Sequence, residues 1–151
     1  MEKQRIDWKS LFVFLAVPQL IGFVGWLLGG SAGYEGLHIP DFAPPPWVFA
    51  AVWPVLYLMM GLASWLARRE GAPLGLYWLQ LAVNSLWSLL FFRLEWRLFA
   101  LVWLVGLLLL AAWTAWDFYR AKPAAGWLMG PYLLWLLYAA TLNTAIWRMN
   151  L

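Results

Sequence analysis

Long apolar runs separated by short polar breaks dominate the chain. Each run is about twenty residues long and contains no Asp, Glu, Lys, Arg or His. Since an α-helix rises about 1.5 Å per residue, such a run reaches about 30 Å, the thickness of the hydrocarbon core of a bilayer. The pattern therefore predicts an all-α integral membrane protein, a bundle of five transmembrane helices. The runs cover residues 11–30, 47–67, 74–92, 98–116 and 127–147.

The composition agrees with a membrane protein and excludes several other classes. Charged residues make up 11% of the chain, whereas soluble domains carry about 25%. The net charge of +3 does not indicate nucleic-acid binding, because the basic residues sit at the ends of the runs and form no stripe. The absence of cysteine excludes disulfides and thiolate nucleophiles. We expect a single membrane domain over residues 1–151, with helices at about 10–30, 46–68, 74–93, 97–119 and 125–148.

Five spans place the two termini on opposite sides of the membrane. Seven Lys and Arg residues fall on the N-terminal side, here called side A, and three fall on the opposite side, side B. Because short cytoplasmic loops are enriched in basic residues, we expect a cytoplasmic N-terminus in a bacterial cell membrane. A competing explanation for part of this bias is that Arg68 and Arg69 only stabilise the C-terminus of the second helix.

One connection is much longer than the others. Residues 31–46, on side B between the first two predicted helices, read SAGYEGLHIPDFAPPP and are rich in Gly and Pro. In a compact domain, a loop of this length typically serves as a lid or a binding loop. The remaining connections are short, so we expect consecutive helices to pack antiparallel.

Polar and aromatic residues within three of the runs recur at spacings of three or four, which places each set on one helical face. Amide and hydroxyl groups in lipid must face the bundle and find partners there. A role in joining helices explains any single amide equally well. All three sets lie toward side B, beneath the long loop, so together they predict a ligand pocket with apolar walls and a lid. The three faces carry Trp53 and Tyr57; Gln80, Asn84, Trp87 and Ser88; and Trp135 and Asn143 together with the apolar Ala139, Leu142 and Ile146.

Groups for catalysis and metal binding are scarce. His38 is the only histidine and lies in the long loop, and no carboxylate lies within an apolar run. A buried acid–base pair, a Ser-His-Asp set or an ion-coupling carboxylate cannot be assembled from such residues. We therefore predict no metal site and no required cofactor.

Three stretches resemble the motifs of one known family. They are GYEGLHIPDFAPPPWVFAAVWPVLYLMMGLA, GLYWLQLAVNSLWSLLFF and PYLLWLLYAATLNTAIWRMN. On these motifs, which follow one another in the right order, the chain resembles the tryptophan-rich sensory protein / translocator protein family, also called the peripheral benzodiazepine receptor family. The resemblance implies a five-helix bundle, commonly a homodimer. It also implies binding of porphyrins, haem-type tetrapyrroles or hydrophobic isoquinoline-carboxamide drugs under the first loop.

The resemblance also suggests roles for individual residues. Trp53 and Trp135 resemble the pocket tryptophans associated with porphyrin binding and with light-dependent porphyrin breakdown. The further pocket residues that the resemblance implies are Tyr57, Asn84, Trp87, Ala139 and Leu142.

Four positions depart from the family pattern. Gly33 stands where the family usually has a loop Trp, Ile39 stands where it has Lys, and Pro54 directly follows the pocket tryptophan. Thr144 replaces the aromatic residue of a weak cholesterol motif. Eukaryotic members of the family bind cholesterol, but we do not predict cholesterol binding for this chain.

Three functions are consistent with these observations. The first is a membrane receptor or sensor that binds porphyrins or related hydrophobic ligands, with or without transport. The second is an enzyme-like, light-dependent breakdown of porphyrin at Trp53 and Trp135. The third is a structural bundle without a small ligand. We favour the receptor, because the sequence predicts a pocket but no catalytic groups.

Overall fold

The computed structural model describes residues 5–29 and 34–151, which form five long helices without a β-strand. The helices are α1 (Trp8–Gly29), α2 (Pro46–Arg69), α3 (Gly75–Ser88), α4 (Arg97–Ala121) and α5 (Pro123–Met149). The third helix continues into a π-helical turn, Leu89–Arg93. Counted with this turn, all five are long and apolar enough to cross a membrane. The predicted five-helix membrane bundle is confirmed, and the helix ends differ from the predicted ends by no more than two residues.

Proline and glycine residues define several helix ends. Pro46 and Pro123 occupy the first turns of α2 and α5, where a missing backbone N–H costs nothing. After α2, Gly71 adopts a φ of +83°, its N–H donates to the Arg68 carbonyl, and the Ala72 N–H donates to the Ala67 carbonyl. This is the hydrogen-bond pattern of a Schellman cap, which favours glycine, and it allows the short turn into α3.

The helices form a closed ring in the order α1, α2, α5, α4, α3. The longest contact joins α4 and α5, and α1 closes the ring by packing on both α2 and α3. The first helix buries few side chains, chiefly Phe14 and Pro18. It therefore lies at the outside of the bundle, with most of its apolar surface left for lipid.

Buried amides join helices inside the ring. The Tyr132 hydroxyl donates to Gln80 Oε1 over 2.8 Å, which connects α5 to α3. Asn143 accepts a hydrogen bond from Trp87 Nε1 (3.2 Å) and donates to the Arg97 carbonyl (2.9 Å). Asn143 thereby connects α5 to both α3 and α4. For Gln80 and Asn143, the interpretation as residues that join helices is thus consistent with their contacts.

The described part of the long loop, residues 34–45, forms a roof over the side-B end of the bundle. Its Leu37 and Ala43 side chains pack on an apolar cluster that includes Phe91 and Ile146. Asn150, just beyond α5, exchanges two hydrogen bonds of 2.9 and 2.8 Å with the backbone of His38. This roof positions the site described next.

Candidate ligand-binding cavity

A cavity of about 630 Å³ lies in the side-B half of the bundle. Its wall is formed by α1, α2, α3 and the π-helical turn, with Tyr34 of the roof at its end. The volume is within the range of about 300–1,000 Å³ that is typical of small-molecule sites.

Aromatic rings form much of the wall. The Trp53 indole stacks on the Tyr57 ring with centroids 5.5 Å apart and planes 26° apart. Trp87, on α3, stacks on Phe91 at 5.2 Å, and its indole N–H is held by Asn143. Flat faces of this kind suit a flat, apolar ligand.

Two polar groups on the wall lack hydrogen-bond partners. Asn84 is 4% exposed, and its amide nitrogen forms no hydrogen bond with the described residues, although the Tyr57 hydroxyl lies nearby. The Tyr34 hydroxyl likewise has no partner in the described part of the chain. Burial, and to a lesser degree the neighbouring Tyr138, raises the pKa of Tyr34 to about 12, so the hydroxyl stays protonated at physiological pH. Because an unpaired buried polar group is costly, both groups are suited to pairing with a ligand.

The structure brings four of the seven pocket residues implied by the family resemblance to this cavity. Trp53, Tyr57, Asn84 and Trp87 all belong to its wall. The sequence predicted a pocket among the second, third and fifth helices, and this cavity differs from that prediction in the helices that line it. The cavity lies among α1, α2 and α3, because the ring order puts α2 between α1 and α5.

The three predicted residues on α5 lie outside the cavity wall. Trp135 packs edge-on behind Trp53, with ring centroids 6.3 Å apart, and also contacts Phe49 at 5.8 Å. Its buried indole N–H has no partner among the described residues. Ala139 and Leu142 are 6% exposed and belong to the packed core. Trp135 can therefore influence the cavity through Trp53 and Phe49, which both belong to its wall.

Sequence reasoning missed the contribution of the first helix. Gln19, Gly22 and Trp26 lie on the cavity wall, and their spacing of three and then four places them on one face. Gln19 is the polar residue of the first apolar run, and this was the available signal. A side chain at Gly22 would overlap the Tyr57 ring, so this glycine both permits close packing and lines the cavity.

The four positions that depart from the family pattern lie in different parts of the protein. Gly33 lies outside the described residues, and Ile39 is exposed in the roof. Pro54 belongs to the cavity wall, and its carbonyl accepts a hydrogen bond of 2.7 Å from Gln19 Nε2. The Thr144 hydroxyl donates to the Ala140 carbonyl within its own helix.

Comparisons with known proteins show the family of this chain. The sequence matches the profile of the TspO/MBR family over residues 14–148. The chain belongs to the TspO/MBR family. It is 42% identical to a translocator protein from Sus scrofa, in an alignment that covers 95% of this chain and 91% of the relative.

Microbial relatives show the same relationship. A tryptophan-rich sensory protein from Cereibacter sphaeroides is 36% identical, with 97% and 94% of the two chains covered. The tryptophan-rich protein TspO from Archaeoglobus fulgidus is 34% identical, with 86% and 90% covered. TspO/MBR membership and the five spans establish an integral, multi-pass membrane protein. Membership also supports a membrane receptor role.

Proposed function

We propose that this TspO/MBR protein is a membrane receptor that binds a porphyrin or a related hydrophobic tetrapyrrole in the cavity. The observation that carries the proposal is the stacked Trp53–Tyr57 pair facing the same space as the unpartnered Asn84 amide. A large apolar site with a few directed polar groups is the usual form of a small-molecule pocket.

The chemistry of a porphyrin fits this space. Its flat macrocycle packs favourably against aromatic faces such as Trp53 and Trp87. The Asn84 amide and the Tyr34 hydroxyl supply donors for its polar atoms. At the side-B end, Arg93 is exposed next to Phe92 of the cavity wall. Its Nη1 donates to the Leu28 carbonyl over 3.4 Å, which leaves other guanidinium N–H groups for porphyrin carboxylates.

Titration of protoporphyrin IX into the protein in lipid nanodiscs, followed by tryptophan quenching, tests the proposal. Trp53→Ala is expected to weaken binding by about 1–3 kcal/mol, or about 5- to 150-fold in Kd. Trp113→Ala is the matched control, because Trp113 is 61% exposed on α4 and does not belong to the cavity wall. Equal affinities for both variants and the wild-type protein would contradict the proposal. An absence of saturable quenching in the wild-type protein would favour a structural bundle.

Light-dependent porphyrin breakdown, which the family resemblance implies for Trp53 and Trp135, is a second candidate, and the two indoles are in edge-on contact. Illumination of the porphyrin complex in air distinguishes the two functions. A bilin-like product that fails to form in Trp53→Phe would support breakdown. An unchanged porphyrin spectrum would support binding alone.

Three further features of the proposed receptor can be measured separately. The excess of basic residues on side A predicts a cytoplasmic N-terminus. Because five spans place the C-terminus on the opposite side, a C-terminal alkaline phosphatase fusion should be active and a C-terminal fluorescent protein fusion should be dark.

The family resemblance predicts a homodimer, which light scattering in detergent measures. Transport requires porphyrin uptake into sealed proteoliposomes beyond that of protein-free vesicles.

A further inference from the structure

The first helix crosses from one neighbour to another as it passes through the bundle. In its side-A half, α1 touches the backbone of α2, since a methyl group on Gly61 would overlap the Phe14 carbonyl oxygen. In its side-B half it touches α3, since a methyl group on Gly25 would lie 3.0 Å from the Ser85 Cα atom. The first helix therefore moves from α2 toward α3 as it approaches side B.

This inclination leaves an opening between the side-B halves of α1 and α2. Its rim consists of six residues that belong to the cavity wall and remain exposed, as is expected where a cavity opens to the outside. On the α1 side, for example, Leu20 is 63% exposed and Trp26 is 58% exposed. Gln19 binds the Pro54 carbonyl at this opening and joins the two helices there. The six rim residues, all apolar, are Leu20, Phe23, Trp26, Pro46, Ala50 and Pro54.

The opening faces hydrocarbon. Its rim residues belong to helices that are long and apolar enough to cross a membrane, so the medium around them is lipid. The described roof is fastened to α5, through the Asn150–His38 hydrogen bonds and a 2.8 Å bond from the Tyr138 hydroxyl to the Phe42 carbonyl. The fifth helix is not among the helices at the opening.

We infer that an acyl chain of a phospholipid in the side-B leaflet enters the cavity sideways, between α1 and α2. Apart from a few polar side chains such as Gln19 and Asn84, the wall offers water few partners, whereas a hydrocarbon chain packs against the apolar residues that form most of it. A methylene chain loses little by exchanging bulk lipid for aromatic and aliphatic side chains, so the lipid chain is held weakly. The inference holds whichever ligand the receptor binds.

Photo-crosslinking in nanodiscs tests the inference without porphyrin. The probe is a phosphatidylcholine that carries a diazirine in the middle of one acyl chain, and the labelled residues are mapped by mass spectrometry. In the wild-type protein we expect label on Tyr57 and Asn84, which lie on the cavity wall and are buried from the outer surface. Label on lipid-facing residues such as Leu109, which is 67% exposed, reports ordinary contact with the bilayer.

Two rim variants close the opening from opposite sides, and each has a neighbouring control. Ala50→Trp acts from α2 and Leu20→Trp acts from α1. Ala51→Trp and Val24→Trp place the same ring on exposed positions that do not belong to the cavity wall. We expect the two rim variants to lose the label inside the cavity and the controls to keep it.

Two results would overturn the inference. One is a wild-type protein labelled only at outward-facing residues. The other is interior labelling that persists in both rim variants. Retained label on Leu109 and an unchanged elution volume show that a variant is folded, and the use of one variant on each helix keeps the test valid if either fails to fold.

Discussion

Asn143→Leu should weaken both the bundle and ligand binding, although Asn143 does not reach the cavity. The side chain is 1% exposed and forms two interhelical hydrogen bonds, with Trp87 Nε1 and with the Arg97 carbonyl. Leucine keeps the number and branching of the side-chain heavy atoms but is larger, so the substitution removes the hydrogen bonds without creating a cavity and adds some crowding in the core. The indole of Trp87, which belongs to the cavity wall, loses the contact that orients it.

The expected loss of stability follows from the energy of hydrogen bonds in membranes. Interhelical hydrogen bonds average about 0.6 kcal/mol and reach about 1.7 kcal/mol, so two of them predict a loss of about 1–3 kcal/mol. The matched control is Thr141→Val, because Thr141 is exposed and its hydroxyl donates to the Leu137 carbonyl of its own helix. That substitution keeps the side-chain shape and breaks no contact between helices.

Unfolding in mixed micelles with increasing SDS, followed by far-ultraviolet circular dichroism, measures the free energy of unfolding. Protoporphyrin titration of the same samples measures affinity. A loss below about 0.5 kcal/mol for Asn143→Leu, similar to that of an ordinary surface substitution, together with wild-type affinity, would refute this reasoning.

Three further predictions use other parts of the structure. Trp135→Ala should weaken porphyrin binding less than Trp53→Ala does, because Trp135 only supports the cavity wall from behind; the reverse order in a titration would contradict the assigned cavity. Gly61→Ala should destabilise the bundle by about 1–3 kcal/mol, since its methyl group overlaps the backbone of α1, and SDS unfolding checks this. Asn150→Ala should speed hydrogen exchange in residues 34–45 while leaving exchange in α4 unchanged, and equal exchange in the roof would show that it is held by other contacts.

The sequence by itself determined that this protein lies in a membrane and where its helices begin and end. Five uncharged apolar runs of membrane length leave no soluble alternative, because a chain with so few charges cannot solvate itself. The helix ends can also be predicted from the sequence, since Pro46 and the Gly71 turn act through local backbone geometry. The face occupied by Trp53 and Tyr57, and the face occupied by Asn84 and Trp87, followed from helical periodicity.

The tertiary structure alone decided which helices meet. Hydropathy does not distinguish an apolar residue that faces lipid from one that faces a cavity, so the wall formed by α1 was not predicted and α5 was assigned in its place. That choice depends on non-local contacts, such as Gly61 with Phe14 and Gly25 with Ser85. Similar amides also have different roles, because Asn143 found partners on two other helices while the Asn84 amide nitrogen found none among the described residues. Periodicity specifies the direction in which a side chain leaves its own helix, whereas its partner depends on how neighbouring helices pack.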